Sequence, residues 1–589
     1  MIMKRMILSS LLCLMTLAVL ADNRSLAEMR SIAAAKLNRS SAVKGQMNRV
    51  KPAALQLVAE DNAYTIFSPA DAQGFVIVAK SNLVDPVIAY STERFDATNM
   101  PPGFRCYLAQ ASRTMEAIEA GRMQAPRRIA SFTPVENFVT TKWSQDYPFN
   151  RSTPNNYPTG CVATALAQCL NYCQYQTSVD FEGNYWVTTK QGNKEKTEKK
   201  TEHVSTTYTW PYKDTYKSIG RTGDNIDELL RDCGYASYMQ YTEEFAGTGS
   251  IYASSALTRY FQYPESCIKY YDKDDFGIDQ ETWNQMIYDE LAVRSPILYG
   301  AFSSDGGHAF LLTGVDAEGL VYINWGWRGN ADGFYAMELM DPDGQGDGFT
   351  DGPHMITGIR PTPLATDKKL VRIESWTGNP YTFRWGTSTD DDGVERHTLY
   401  CDIPHGLVNK SPVTFRGVFG LFAQDLTDGS TWVIAEDLQD RDTVPSGYGA
   451  GGDSEQYKDF YFYYVIDGEQ GLKPGHTYRM AFGTRDDEEG IWHSILCLGG
   501  ELAYDVTYTG DPATSTVSEE KTPLPLIDAI HAVREDASSG MASANLTRVY
   551  DATGRVVYTV PTCQFNLWDV PARGILVVKQ GNSVRKVVR

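Results

Sequence analysis

The chain has 589 residues, a formal net charge of −19 and a pI near 5.0. A field of that sign excludes broad nucleic-acid binding, which needs basic stripes against the phosphates. Hydrophobic content of 42% and charged content of 22% are those of a soluble globular protein, and at roughly 150 residues per domain the length implies about four domains. Lys4 and Arg5 precede an apolar run from Ile7 to Leu20, and Val19 and Ala21 supply the small residues of a cleavage site. This pattern predicts a secretory signal peptide over 1–21. The run is too short for a comfortable membrane span, and no later stretch of about 20 residues is apolar enough to make one. Cys13 lacks the small residues before it that a lipoprotein signal needs.

Residues 22–130 read as a small α+β unit. Helical patterns cover 25–38 and 105–121, and strand-like runs fall at 64–67 and 75–78. The mixed stretch 124–142, with Arg127 and Arg128, reads as a linker. From 131 to 361 helices and strands alternate. Ile226, Leu229, Leu230 and Cys233 have helical spacing, as do Trp283, Met286, Ile287 and Leu291. Strands are expected at 309–313, 320–324 and 333–337, and the Gly/Asp-rich stretch 341–353 is a loop. Beyond Thr362 the helical period fades. Residues 414–423 and 476–483 alternate like half-buried strands, so 362–510 is read as a β-sandwich. Residues 511–524, rich in Thr, Ser, Glu and Pro, form a second linker, and 525–589 consists of short strands with no internal repeat.

The chemistry concentrates around Gly160-Cys161-Val162-Ala163-Thr164. Apolar residues at 162, 165, 166, 169, 170 and 173 make a helix stripe. Cys161 stands off that stripe at the N-terminal edge, where free N–H groups and the helix dipole stabilise a thiolate. With Cys13 removed, nine of the ten cysteines remain, so at least one has no disulfide partner within the chain. His308 follows two glycines and opens an apolar strand, which places an imidazole at the mouth of a cleft. Asn324 and Trp325 lie in the run Tyr322-Ile323-Asn324-Trp325, where an amide or an indole N–H can hold the His308 ring in one tautomer. Gln145 offers an amide that, with the N–H of Cys161, makes an oxyanion hole. His308 lies 147 residues and Asn324 163 residues after Cys161, comparable to papain-type enzymes. No Cys/His cluster has zinc spacing, so neither a metal nor a cofactor is expected.

The segments WSQDYPFN (143–150), TGCVATALAQ (159–168), GGHAFLLTG (306–314) and NWGWRGNADGFY (324–335) closely resemble the streptopain family of bacterial cysteine peptidases, within the papain-like clan. The resemblance covers roughly 143–361. It implies an α+β papain-like core at 131–361, with Cys161 as nucleophile, His308 as base and Gln145 as oxyanion donor. Trp325 would take the place that Asn holds in papain, with Asn324 beside it. Gly307 and Ser250 would line the substrate cleft. Cys173 stands where the family often has His after Tyr, and the turn at 242–250 carries less Gly and Ser than usual.

Residues 22–130 resemble the family's inhibitory propeptide. The segments RVYDATGRVVY (548–558) and WDVPARGILVVKQGNSVRKVVR (568–589) resemble the sorting domain of the type IX secretion system. The implied protein is a secreted or surface-associated zymogen that acts on protein and peptide substrates, with its own prodomain as inhibitor and the secretion machinery as partner. Two other readings remain. A transglutaminase or amidase on the same core expects an Asp after the His, and Asp316 is only eight residues on. A catalytically dead adhesin would not need Gln145, Cys161 and His308 together.

Overall fold

The structure is a computed structural model. It describes residues 23–43, 49–71, 73–125, 133–192, 194–212, 225–274, 276–303, 306–340 and 351–363 and, in shorter stretches, much of the remaining C-terminal part. The expected signal peptide and most of the loop 341–353 lie outside the described residues. Among the described residues no helix is long and apolar enough to cross a membrane.

The N-terminal unit is α+β. Helix α1 (Leu26–Val43) buries Met29, Ala33, Ala34 and Leu37, the face that i, i+4, i+8 spacing gives. Four strands follow: β1 (Leu55–Glu60), β2 (Tyr64–Pro69), β3 (Gln73–Ala79) and β4 (Val87–Arg94). Helix α2 (Pro102–Glu119) starts on Pro102, whose missing N–H costs nothing in a first turn. Its buried stripe is Phe104, Tyr107, Leu108, Ala111, Met115 and Ile118.

The next unit begins earlier than the expected linker allows. Val135 bridges to Val315, Phe138 N–H donates to Thr313 O at 3.1 Å, and Phe138, Val139 and Thr141 are buried. Residues 133–142 therefore belong to the packed core, because their apolar side chains have a surface to cover. Helix α3 (Cys161–Cys173) is apolar nearly all round and runs through the centre. Strands β5 (Ser178–Gln191) and β6 (Lys194–Thr207) then form a hairpin paired along its whole length. Helix α4 (Ile226–Ala236), the short strands β7 (Gln240–Tyr241) and β8 (Ala246–Gly247), helix α5 (Ser250–Arg259) and strand β9 (Lys269–Asp272) come next. Helix α6 (Gln280–Ala292) is capped by Asp279, which accepts from Thr282 N–H at 2.8 Å. The remaining strands are β10 (Ile297–Ser303), β11 (Gly306–Val315), β12 (Val321–Asn324), β13 (Gly333–Tyr335) and β14 (Asp351–Thr357).

Both units share one antiparallel ten-stranded sheet, in the order β1-β2-β3-β4-β13-β12-β11-β10-β14-β9. The seam is the β4–β13 pair, with Phe334 opposite Tyr90 and Tyr335 opposite Ala89. A side chain at Gly333 would put its Cβ 2.5 Å from Tyr90 O, so the close approach at the seam requires glycine. Rings from both sides pack there: Tyr335 lies 6.3 Å from Phe75, 5.9 Å from Phe104 and 4.9 Å from Tyr107.

Among the described residues the C-terminal part is all β. A three-stranded sheet (382–389, 395–402, 461–466) packs on a larger one, and Phe383, Leu399 and Cys401 meet Phe419, Tyr478, Phe482 and Val506 in a core of their own. The expected linker after 510 departs from its reading. Residues 516–517 and 522–523 pair back onto the strand at 500–508. The strands 546–550, 556–561, 575–580 and 583–588 form a separate antiparallel sheet.

Candidate active site

Cys161 is the first residue of α3, and Gly160 before it has φ +87°, a conformation open to glycine. A Cβ at Gly160 would also strike Met239 Sδ at 2.8 Å and Ala246 O at 3.0 Å. Thr164 Oγ1 donates to Gly160 O at 2.9 Å and pairs with Thr159 Oγ1 at 2.8 Å, which fixes the entry into the helix. Burial is the largest influence on the Cys161 thiol and pushes its pKa up, while the backbone N–H groups of Ala309, Val162 and Cys161 itself pull it down. Two of those donors belong to the helix start. The third sits on β11, immediately after His308, so the fold brings the thiol and the imidazole-bearing strand together.

His308 is partly buried, with Nε2 enclosed. The N-terminal unit reaches this point. A Cβ on Gly103 of α2 would stand 2.8 Å from the Trp325 ring and 3.8 Å from His308 Cβ. Helix α2 is therefore seated directly on Trp325 and beside His308. The Trp325 indole is buried against Phe310, at 4.8 Å between ring centres, and its Nε1–H donates to Tyr335 Oη at 3.2 Å.

The other expected site residues fall in different places. Gln145 is partly exposed, and its backbone carbonyl accepts from Thr159 N–H at 2.9 Å, which holds its loop against the approach to Cys161. Gly307 is exposed at the start of β11. The Asn324 amide does not turn to the imidazole. It donates to Thr141 O at 2.8 Å and to Gln168 Oε1 at 3.2 Å, and its oxygen accepts from Gly326 N–H at 2.9 Å. Asn324 thus ties β12 to α3 and to the chain before Trp143. Ser250 does not line an open cleft either: it is buried, with Oγ 2.8 Å from His354 Nε2, and His354 Nδ1 lies 2.7 Å from Gly352 O. A glycine-serine turn looks exposed in sequence, but here Ser250 opens α5 and its hydroxyl is used inside the fold.

Comparison with known proteins bears on this geometry. Residues 143–335 match the Peptidase C10 family and residues 26–115 match the Spi protease inhibitor family. The structure of active interpain A cysteine protease from Prevotella intermedia is 31% identical, over 38% of this chain and 95% of that one, with a TM-score of 0.34. The chain belongs to the Peptidase C10 family.

A prointerpain A fragment from the same organism is 26% identical over 52% of this chain and 99% of that one, with a TM-score of 0.44. The thiol protease/hemagglutinin PrtT of Porphyromonas gingivalis is 28% identical, over 51% of this chain and 37% of that protein. This chain thus spans little more than a third of that relative's length. Streptopain of Streptococcus pyogenes is 26% identical, over 49% of this chain and 78% of that protein. In this C10 chain, sequence reasoning missed two contributors to the site. The Ala309 N–H is a backbone group without a side-chain signature. Gly103 lies in a helix whose partner lies more than 200 residues downstream.

Proposed function

We propose that the chain is a cysteine endopeptidase made as a zymogen. The observation that carries this reading is the Cys161 sulfur at a helix start, faced by the N–H that follows His308. In the reaction, His308 takes the thiol proton and Cys161 Sγ attacks the scissile carbonyl carbon. The N–H of Cys161 and the Gln145 amide hold the oxyanion. His308 returns the proton to the leaving amine, and a thioester to Cys161 remains. Water, deprotonated by His308, then releases the acid and restores the thiol. The reaction uses no metal and no cofactor. Trp325 and His308 flank the same turn of helix α2.

The N-terminal unit keeps the enzyme latent. Its helix α2 occupies the space over Trp325 and His308, and burial pushes the pKa of the Cys161 thiol up. Cutting within the stretch 124–132 removes the tether, and with it the high local concentration that holds the unit in place. We place the chain outside the cell or at its surface, exported by the N-terminal signal and sorted by residues 525–589.

The decisive test is the Cys161→Ala chain, which should fold, lose all peptide cleavage and remain a full-length precursor until trace parent enzyme trims it. Turnover by that variant, or loss of parent activity to a chelator, would sink the scheme. Gln145→Ala should slow turnover by roughly 10²–10³-fold with a smaller change in KM; an unchanged kcat would remove Gln145 from the oxyanion site. Deleting 525–589 should leave a folded, active enzyme trapped inside the cell envelope, and normal export would refute the sorting role.

A further inference from the structure

Asp332 is a fully buried carboxyl that the reaction scheme does not use. It closes a tight loop from Trp325 to Asp332 in which Gly326, Arg328, Gly329 and Ala331 all have positive φ. Side-chain residues in that conformation persist only where the surroundings hold them. The clasp is Asp332 Oδ1, which accepts from Trp325 N–H at 2.9 Å. The carboxyl thus fixes the backbone of the residue whose ring lies beside His308.

The N-terminal unit reaches this loop directly at Asp332 and, through Lys142, at Gly329. Ser91 Oγ of β4 donates to the Asp332 carbonyl. Glu93 of β4 pairs with Lys142 at 2.7 Å, and Lys142 lies over Gly329 of the loop, where a Cβ would come 2.8 Å from its chain. The charged and titratable groups that face Asp332 are Lys142, Glu93, Tyr322 and Tyr335. Only Glu93 among them belongs to the part that departs on maturation.

We propose that Asp332 is a positioning residue of the peptidase reading above, clasping Trp325 beside His308, and that it holds a proton while the N-terminal unit is seated and gives it up when Glu93 leaves. Burial comes first among the influences on this carboxyl and, with Glu93, pushes its pKa up to about 7, against the Trp325 N–H and Lys142. Removing β4 takes away Glu93 and leaves Lys142 without its closest carboxylate. Both changes lower the pKa. The seated form therefore binds a proton that the open form releases, so seating is favoured at low pH and weakens as pH rises through about 7, by at most about tenfold per pH unit for one proton.

The test uses the full-length Cys161→Ala chain, so that it does not depend on turnover. Amide hydrogen exchange at the β4–β13 seam is followed from about pH 5.5 to about pH 8.5, normalised to the β5–β6 hairpin to remove the intrinsic pH dependence. Seam opening should rise with pH above neutrality. Asp332→Asn keeps an acceptor oxygen for Trp325 but cannot ionise, so its opening should be flat. Glu93→Gln should flatten the slope in part. A flat parent, or an unchanged slope in Asp332→Asn, overturns the proton linkage. In the active chain, Asp332→Ala should lower kcat by roughly 10²-fold with little change in KM, while Asp332→Asn largely retains it. A parent-like kcat in the alanine variant overturns the positioning role. A parent chain without any turnover sinks the peptidase reading, and the exchange measurements then decide on Asp332 separately.

Discussion

The two regions that flank the catalytic unit are joined to it in different ways. The N-terminal unit shares its sheet, and one apolar core runs from Met29 through Phe75 and Phe104 to Trp325 and Ile359. The sandwich that follows has a core of its own, built around Phe419, Tyr478 and Phe482. In the zymogen reading proposed above, the part to be removed is thus knitted in, while the part that follows has its own core and meets the catalytic unit at its surface, as where Thr258 Oγ1 donates to Pro412 O at 3.1 Å. Latency needs the first arrangement, because a unit that merely hung from a linker would not hold helix α2 on Trp325.

The sharpest way to test that contrast is to empty each core. Phe75→Ala should cost about 3–5 kcal/mol and shift the melting of the N-terminal and catalytic units together. Phe482→Ala should cost a similar amount but move only the sandwich transition in calorimetry. If Phe75→Ala left the catalytic transition in place, the shared core would be an illusion of contact.

A somewhat smaller effect is expected at the ionic clasp of the seam. Buried Lys36 of α1 pairs with Asp316 at 3.0 Å and also with Glu318, both in the turn after β11, and lies 4.1 Å from the centre of the Tyr90 ring. Lys36→Met takes the cation from the partly buried Asp316, which keeps the Glu318 and Leu320 N–H donors, and should cost about 2 kcal/mol. It should speed trimming of the Cys161→Ala precursor, whereas removing the Lys473–Asp428 surface pair of the sandwich should not. Equal trimming rates would show that the clasp does not hold the unit.

Next comes the Asp279 cap of α6, where alanine should cost about 1 kcal/mol in the joint transition of the N-terminal and catalytic units and nothing in that of the sandwich. The smallest difference is in pH response. In the sandwich, burial opposes ionisation of Asp425, but the Thr427 N–H and His476 at 2.7 Å outweigh it and hold the pKa below its usual value. A lowered pKa contributes stability above the unfolded value and loses it as pH falls through the folded one. Acid should therefore loosen the sandwich, while the raised pKa of Asp332 loosens the seam as pH rises. Melting curves across acid pH for Asp425→Asn should lose the acid slope in the sandwich transition only.

How much of this was legible in the sequence depended on whether the signal was local. Helix α3 was plain because Val162, Leu166 and Leu170 repeat at helical spacing, and β11 because an apolar run follows two glycines. The β5–β6 hairpin was not foreseen, since β6 is exposed on nearly all its residues and carries no alternation. For helix α5 only the turn at 242–250, which ends on its first residue, was legible. Cys161 and His308 could be singled out by residue type and order. Other roles could not. Asn324 looked like a partner for the imidazole, yet its amide is spent on Thr141 and Gln168. Asp332 gave no signal, because its role depends on Glu93 and Lys142, brought near by the seam.

The shortness of β13 has a consequence for the released enzyme. Once β4 is gone, β13 becomes the outermost strand of the sheet and its backbone groups face solvent. A bare edge is a template on which other chains can add strands and begin to clump. Here the edge is three residues long, starts on a glycine and turns at once into a short 3₁₀ segment, Met337–Leu339. So small a ledge gives a stray strand little backbone to pair with.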